Sequence, residues 1–154
     1  MASDREIILS REYDAPRSLL WKAFTDPEQV VLWWGPIGFT TTTDKMDLRV
    51  GGTWEHTMHG PDGANYPNPS KFLEVVPEER IVYAHGGHKE GGLGVSFEAT
   101  WTFEDLGEGR SRLTVHQRFK TAEMRERVVN EFGAIEGGKQ TLARLADHLR
   151  KLNN

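Results

Sequence analysis

The sequence predicts an α+β fold: a curved antiparallel sheet of about six to seven strands wrapped on a long C-terminal helix, with two short helices after the first strand. Three observations predict it. Apolar residues at Met124, Val128, Phe132, Ile135, Leu142, Leu145 and Leu149 recur at steps of three, four and seven, which places them on one stripe of a helix from Thr121 to about Leu152. Strict alternation runs through Val95, Phe97, Ala99, Trp101 and Phe103 and again through Leu113, Val115, Gln117 and Phe119, the period of strands with one buried face. Tight turn signals join a run of such strands, which implies antiparallel pairing with the helices segregated. A long sheet twists and curls, and the C-terminal helix is the one large apolar element left to cover its concave face.

Taken in order, residues 5–13 read as a strand, although Ile7, Ile8 and Leu9 run together without alternating. Asp14-Ala15-Pro16 opens a helix with an acidic cap and a proline in the first turn, and Leu19, Leu20, Ala23 and Phe24 form its apolar face. Asp26-Pro27 ends it and starts a second short helix carrying Val30, Val31, Trp33 and Trp34, which Gly35-Pro36 stops. From Thr40 the chain turns β-like: Thr40–Thr43 favour extended structure, and Met46, Leu48 and Val50 alternate with Lys45, Asp47 and Arg49. Gly51-Gly52 reads as a turn or bulge before a strand with Trp54, His56 and Met58 on one face. Gly60–Gly63 is a turn. Strands follow at about Tyr66–Val76 and Arg80–His85, and Gly86–Gly94 reads as a glycine-rich loop. The final helix has Thr121 as N-cap and Glu123 near its start, with Arg150 and Lys151 at its end, the signs its dipole favours. Between its apolar positions lie charged residues, Arg144 among them, that suit a wet face. Gly137-Gly138 inside it marks either a kink or join or a place where missing side chains leave space beside Phe132 and Ile135.

Composition excludes several function classes. A length of 154 residues fits one domain with a sizeable core. A net charge of −4, with basic residues scattered among acids, argues against nucleic-acid binding. The absence of cysteine removes disulfides, thiolate metal sites and a cysteine nucleophile. No stretch resembles a signal peptide or a membrane span, so no membrane insertion and a cytoplasmic location are expected. Five Trp, seven Phe and three Tyr are a generous aromatic supply.

The candidate chemistry is sparse. His56 shares a strand face with Trp54 and Met58 and should point inward, as a satisfied core histidine or as a polar handle for a ligand. His85 shares a face with Ile81 and Tyr83 at a strand end. The spacing of His56 and His59 suits a helix, but on a strand it sends the two rings to opposite faces, so no metal and no cofactor are expected. Ser70, Ser96 and Ser111 lack a nucleophile-elbow motif.

The segments YDAPRSLLWKAFTDPEQVVLWWGP, MDLRVGGTWEHTMHGPDG, YPNPSKFLEVVPEERIVY, FEATWTFED and EGGKQTLARLADHL together resemble the SRPBCC superfamily (START and Bet v allergen-like, helix-grip fold). The similarity is to the branch named after the activator of the heat-shock chaperone ATPase. The resemblance implies a helix-grip domain that binds apolar or amphipathic ligands between sheet and helix; a few branches of the superfamily are enzymes, such as aromatic polyketide cyclases. The chaperone-activating role belongs to longer eukaryotic members. The chain departs from the family pattern at Gly138, where a bulky residue is usual, and at His56, where an apolar one is common.

The functional expectation is therefore a small hydrophobic or amphipathic ligand held in an internal cavity. Trp34, Phe39, Met46, Trp54, Met58, Trp101, Phe132 and Ile135 are expected as walls, His56, Tyr66 and His85 as polar handles, and Gly138 as the source of extra space. The alternatives are a cyclase-like or hydrolytic enzyme working through His56 and a module that meets a chaperone partner. The chain is expected as a monomer or homodimer.

Overall fold

The computed structural model describes residues 5–85, 97–132 and 134–152. Seven strands form one antiparallel sheet: β1 (Glu6–Tyr13), β2 (Thr40–Met46), β3 (Thr53–His59), β4 (Asn65–Val76), β5 (Arg80–His85), β6 (Phe97–Gly107) and β7 (Arg110–Phe119), in the order β1-β7-β6-β5-β4-β3-β2. Strands β2 to β7 make a meander, and β1 pairs with β7 from Glu6↔Arg118 to Tyr13↔Ser111. The two edge strands are therefore consecutive in sequence. The helices α1 (Arg17–Thr25) and α2 (Pro27–Trp33) carry the chain from one edge to the other, with Asp26 capping α2 by accepting from the Glu28 amide at 2.9 Å. Register shifts at Thr43/Lys45, Phe72/Glu74 and Asp105/Gly107 bend the sheet, as extra residues on one strand of a pair do.

Alternation dictates which side chains go inside. On β5, Ile81, Tyr83 and His85 are buried while the residues between them are not; on β6 the same holds for Ala99, Trp101 and Phe103. Against this face lie Leu20 and Phe24 of α1, Val30 and Trp33 of α2, and Leu142, Leu145 and Leu149 of the last helix, all in one core cluster. Burying each such side chain contributes about 1.5–3 kcal/mol. Polar anchors set the positions: the Tyr13 hydroxyl donates to the Leu142 carbonyl at 2.9 Å, Ser111 Oγ to the Ala15 carbonyl at 2.6 Å, and Trp33 Nε1 to the Ala23 carbonyl at 3.0 Å.

Three expectations need correction. Asp14 does not cap α1: Pro16 is the N-cap residue, no side chain caps the helix, and the Asp14 carboxylate accepts from Arg110 Nε at 3.0 Å. The strand read through Val50 ends at Met46. Residues 47–52 instead form a turn docked on β4, with the Gly51 amide donating to the Phe72 carbonyl and the Phe72 amide to the Gly52 carbonyl. Val50 is left exposed. Gly52 is required there, because a Cβ would overlap the Asp47 carbonyl oxygen. The C-terminal stripe is divided into α3 (Ala122–Phe132) and α4 (Ala134–Leu152), so the join precedes Gly137 and Gly138, which both lie inside α4. Thr121 does cap α3, accepting from the Met124 amide at 3.1 Å. The glycine-rich stretch 86–94, expected as a loop, lies outside the described residues.

Candidate functional site

The curved sheet and α4 leave a cavity of about 430 Å³ between them. Its walls come from every strand except β2. Ile7 and Leu9 of β1, Val115 and Phe119 of β7, and Phe97 and Trp101 of β6 supply apolar surface, closed by Val128 of α3 and Gly137, Gly138 and Leu142 of α4. The connection after α2, with Trp34 and Phe39, forms another side. Trp34 stacks on Trp101 at 5.2 Å between ring centroids and meets the edges of Trp54 at 4.8 Å and His56 at 5.6 Å.

That connection is held by α4. Arg144 Nη1 donates to the Gly35 carbonyl at 2.9 Å, with the Pro36, Phe39 and Trp34 carbonyls at 3.2, 3.3 and 3.4 Å, while Nη2 reaches the Leu32 carbonyl at 3.3 Å. Gln140 Oε1 accepts from the Ile37 amide at 3.0 Å, and Thr41 Oγ1 donates to the Trp34 carbonyl at 2.9 Å. Arg144 was expected on a wet face. It instead gathers five carbonyls where α2 ends, of which Trp34's also accepts from Thr41 Oγ1 and Pro36's from the Phe39 amide, and it is only partly exposed.

The remaining wall is polar. Four of the seven buried polar side chains among the described residues, His56, Asn68, Ser70 and His85, lie in one band across β3, β4 and β5. Register brings them together: His56 is opposite Asn68, and Ser70 is opposite His85. Asn68 Nδ2 donates to the Tyr66 carbonyl at 2.7 Å. His56 Nδ1 and Ser70 Oγ have no hydrogen-bond partner among the described residues, an arrangement that costs free energy unless something else bonds to them. Burial, with His85 adding like-charge repulsion, pushes the His56 pKa down to about 3, and burial pushes that of His85 down to about 4. Both rings are therefore neutral at pH 7. Each also stacks on an aromatic ring, His56 on Trp54 at 4.1 Å and His85 on Phe97 at 4.8 Å.

Of the residues singled out from sequence, Trp34, Phe39, His56, Met58, Tyr66, His85, Trp101 and Gly138 line the cavity. Trp54 does not; it is fully buried in the core behind His56, because its strand position faces α1 and the Phe24 ring at 5.4 Å. Met46 packs on the edge of the same core, since its strand ends there. Ile135 packs on the smaller cluster of Ile7, Phe119 and Val128. The side chain of Phe132 falls outside the described set. The space expected beside Gly138 is taken by Leu9: a Cβ on Gly138 would lie 2.5 Å from Leu9 Cδ1. The glycine lets helix and sheet approach closely, while Leu9 itself lines the cavity. Asn68, Ser70, Tyr83, Phe97, Gln117 and Arg144 were not anticipated. For Asn68 and Ser70 the available signal was the alternation of Tyr66-Pro67-Asn68-Pro69-Ser70, with prolines on the outward positions.

A family profile described as activator of Hsp90 ATPase homolog 1-like protein matches residues 14–150. The chain belongs to this family. The match, together with solved structures of the same fold, supports an SRPBCC domain of this type. A crystal structure of a protein from Nitrosomonas europaea is 25% identical with a TM-score of 0.86, covering 99% of each chain. A solution structure from Arthrobacter aurescens is 25% identical with a TM-score of 0.89, covering 98% of this chain and 90% of that one. DynU16, a protein of the dynemicin biosynthetic locus, is 21% identical with a TM-score of 0.71; the match spans 96% of this chain and 48% of DynU16 and indicates shared fold alone. Comparison with curated proteins gives no significant match. Within the activator-homolog family the fold suggests a ligand-binding domain. Among the described residues no helix is long and apolar enough to cross a membrane, and no cluster of three or more His, Cys, Asp or Glu is placed to hold a metal ion.

Proposed function

We propose that this activator-homolog domain binds a small hydrophobic or amphipathic molecule in the cavity between the sheet and α4. The observation that supports the reading is the composition of the cavity wall: aromatic and aliphatic over most of its surface, with buried, incompletely bonded polar groups at His56 and Ser70. Unbonded buried polar atoms cost about 1–3 kcal/mol each, and His56 and Ser70, unlike the likewise unbonded Trp54 Nε1 of the core, line the cavity where an occupant can bond to them. A pocket of 300–1,000 Å³ with a few convergent polar groups is the usual form of a small-molecule site. The reading is tested by thermal unfolding with a panel of apolar and amphipathic compounds. A binder at about 100 times its Kd should stabilise the fold by about 2.7 kcal/mol; an unmoved midpoint across the panel refutes the reading.

A catalytic role for His56, the cyclase-like alternative, is supported less well. General bases work best with a pKa near the working pH, and a ring held near 3 is a poor proton acceptor at pH 7. The family's chaperone name gives the third reading, and a pull-down with Hsp90 tests it: recovery of the chaperone supports it, and its absence removes it.

A further inference from the structure

The cavity holds information about the charge of its occupant. Among the described residues that line it there is no Lys, Arg, Asp or Glu. Its polar side chains are all neutral donors or acceptors, the two histidines included, because burial keeps their rings unprotonated. A carboxylate or an ammonium entering this space would lose part of its hydration and meet no counter-charge among the described lining residues, a cost that hydrogen bonds from neutral groups repay only in part. The polar band has the opposite effect on an uncharged ligand with an oxygen. His56, Asn68, Ser70 and His85 occupy three adjacent strands, so their hydrogen-bonding groups lie side by side along one wall. Much of the remaining wall is aromatic: Trp34 and Trp101 stack on one another at 26° and 5.2 Å, and Phe39 lies 6.0 Å from Tyr66. Flat rings gain most from such walls.

Resting on the ligand-binding reading above, we propose that the cavity selects an uncharged planar aromatic molecule bearing a hydrogen-bonding oxygen. That oxygen is seated against the band of His56, Asn68, Ser70 and His85, and the corresponding carboxylate is rejected. The band thus sets specificity by chemistry and the aromatic walls by shape.

The test uses three probes with one ring system: naphthalene, 2-naphthol and 2-naphthoate, titrated near neutral pH and followed by amide chemical shifts. We expect 2-naphthol to bind about tenfold more tightly than naphthalene, the value of one added hydrogen bond, with its largest shifts on β3 to β5. 2-Naphthoate should bind at least about tenfold more weakly than 2-naphthol. If 2-naphthoate binds as tightly as 2-naphthol, the charge selection is overturned while ligand binding stands. If none of the three binds, both fall. His56→Phe should erase the advantage of 2-naphthol over naphthalene while naphthalene still binds; should that variant fail to fold, Ser70→Ala serves the same comparison. An advantage unchanged in the folded variants overturns the role of the band.

Discussion

Replacing Arg144 by methionine keeps a long flexible side chain and removes the cation that gathers the connection after α2. Five backbone carbonyls lie within 3.4 Å of its two terminal nitrogens. Each nitrogen carries two hydrogens, so not all five contacts can be full bonds. Nη1 supports the short bond to Gly35 and shares its second hydrogen among Pro36, Phe39 and Trp34, and Nη2 supports one bond to Leu32. Hydrogen bonds to charged groups contribute about 1.5–3 kcal/mol each. Because the side chain is partly exposed, water replaces some of this on mutation, and a net loss of about 2–3 kcal/mol is expected for Arg144→Met. For a domain of this size each kcal/mol corresponds to about 2–4 °C, so Tm should fall by about 5–10 °C in a calorimetric scan. Arg144→Lys should recover less than half, since an ammonium cannot spread over both sides of the connection. Amide exchange at residues 34–39 should rise more than elsewhere, and ligand affinity should drop although Arg144 does not line the cavity. A loss under about 0.5 kcal/mol, the range of an ordinary surface substitution, would refute the clamp.

Further outcomes follow from the same structure. His56 and His85 titrate near 3 and 4 in the fold and near 6.5 when unfolded; above pH 6.5 both states are neutral and there is no penalty, whereas below it the unfolded chain takes up protons the fold refuses, so stability falls as pH drops. The loss approaches about 1.4 kcal/mol per pH unit for each histidine, and denaturant titrations of wild type and His56→Phe should diverge by about that slope between pH 6 and 4; parallel curves would exclude it. Gly137→Ala should stabilise by up to about 1 kcal/mol, because the new methyl only touches Pro36 at 3.7 Å. Gly138→Ala should gain less or lose stability, because Leu9 must rotate away; equal gains in urea midpoint at both positions would contradict the packing. Tyr13→Phe should cost about 1 kcal/mol by removing the bond to the Leu142 carbonyl, and an unchanged Tm would show that water replaces it.

The sequence by itself determined the order of elements, the antiparallel sheet and the inward faces of β3, β5, β6 and β7. Those properties are local: a period of two or 3.6, a cap at Thr121, and a turn at Gly60–Gly63 are all written within a few residues of where they act. Tertiary structure decided what depends on residues far apart in the chain. Trp33 and Trp34 are adjacent and equally apolar, yet one fills the core and the other lines the cavity, because α2 ends between them. Gly138 looked like empty space until β1 placed Leu9 beneath it, and Arg144 looked like surface until carbonyls between Leu32 and Phe39 were brought around it. The polar band needs the registers of β3 with β4 and of β4 with β5 before four scattered side chains share a wall. Short-range pattern says which face a residue takes; only the closed fold says which neighbour it finds there.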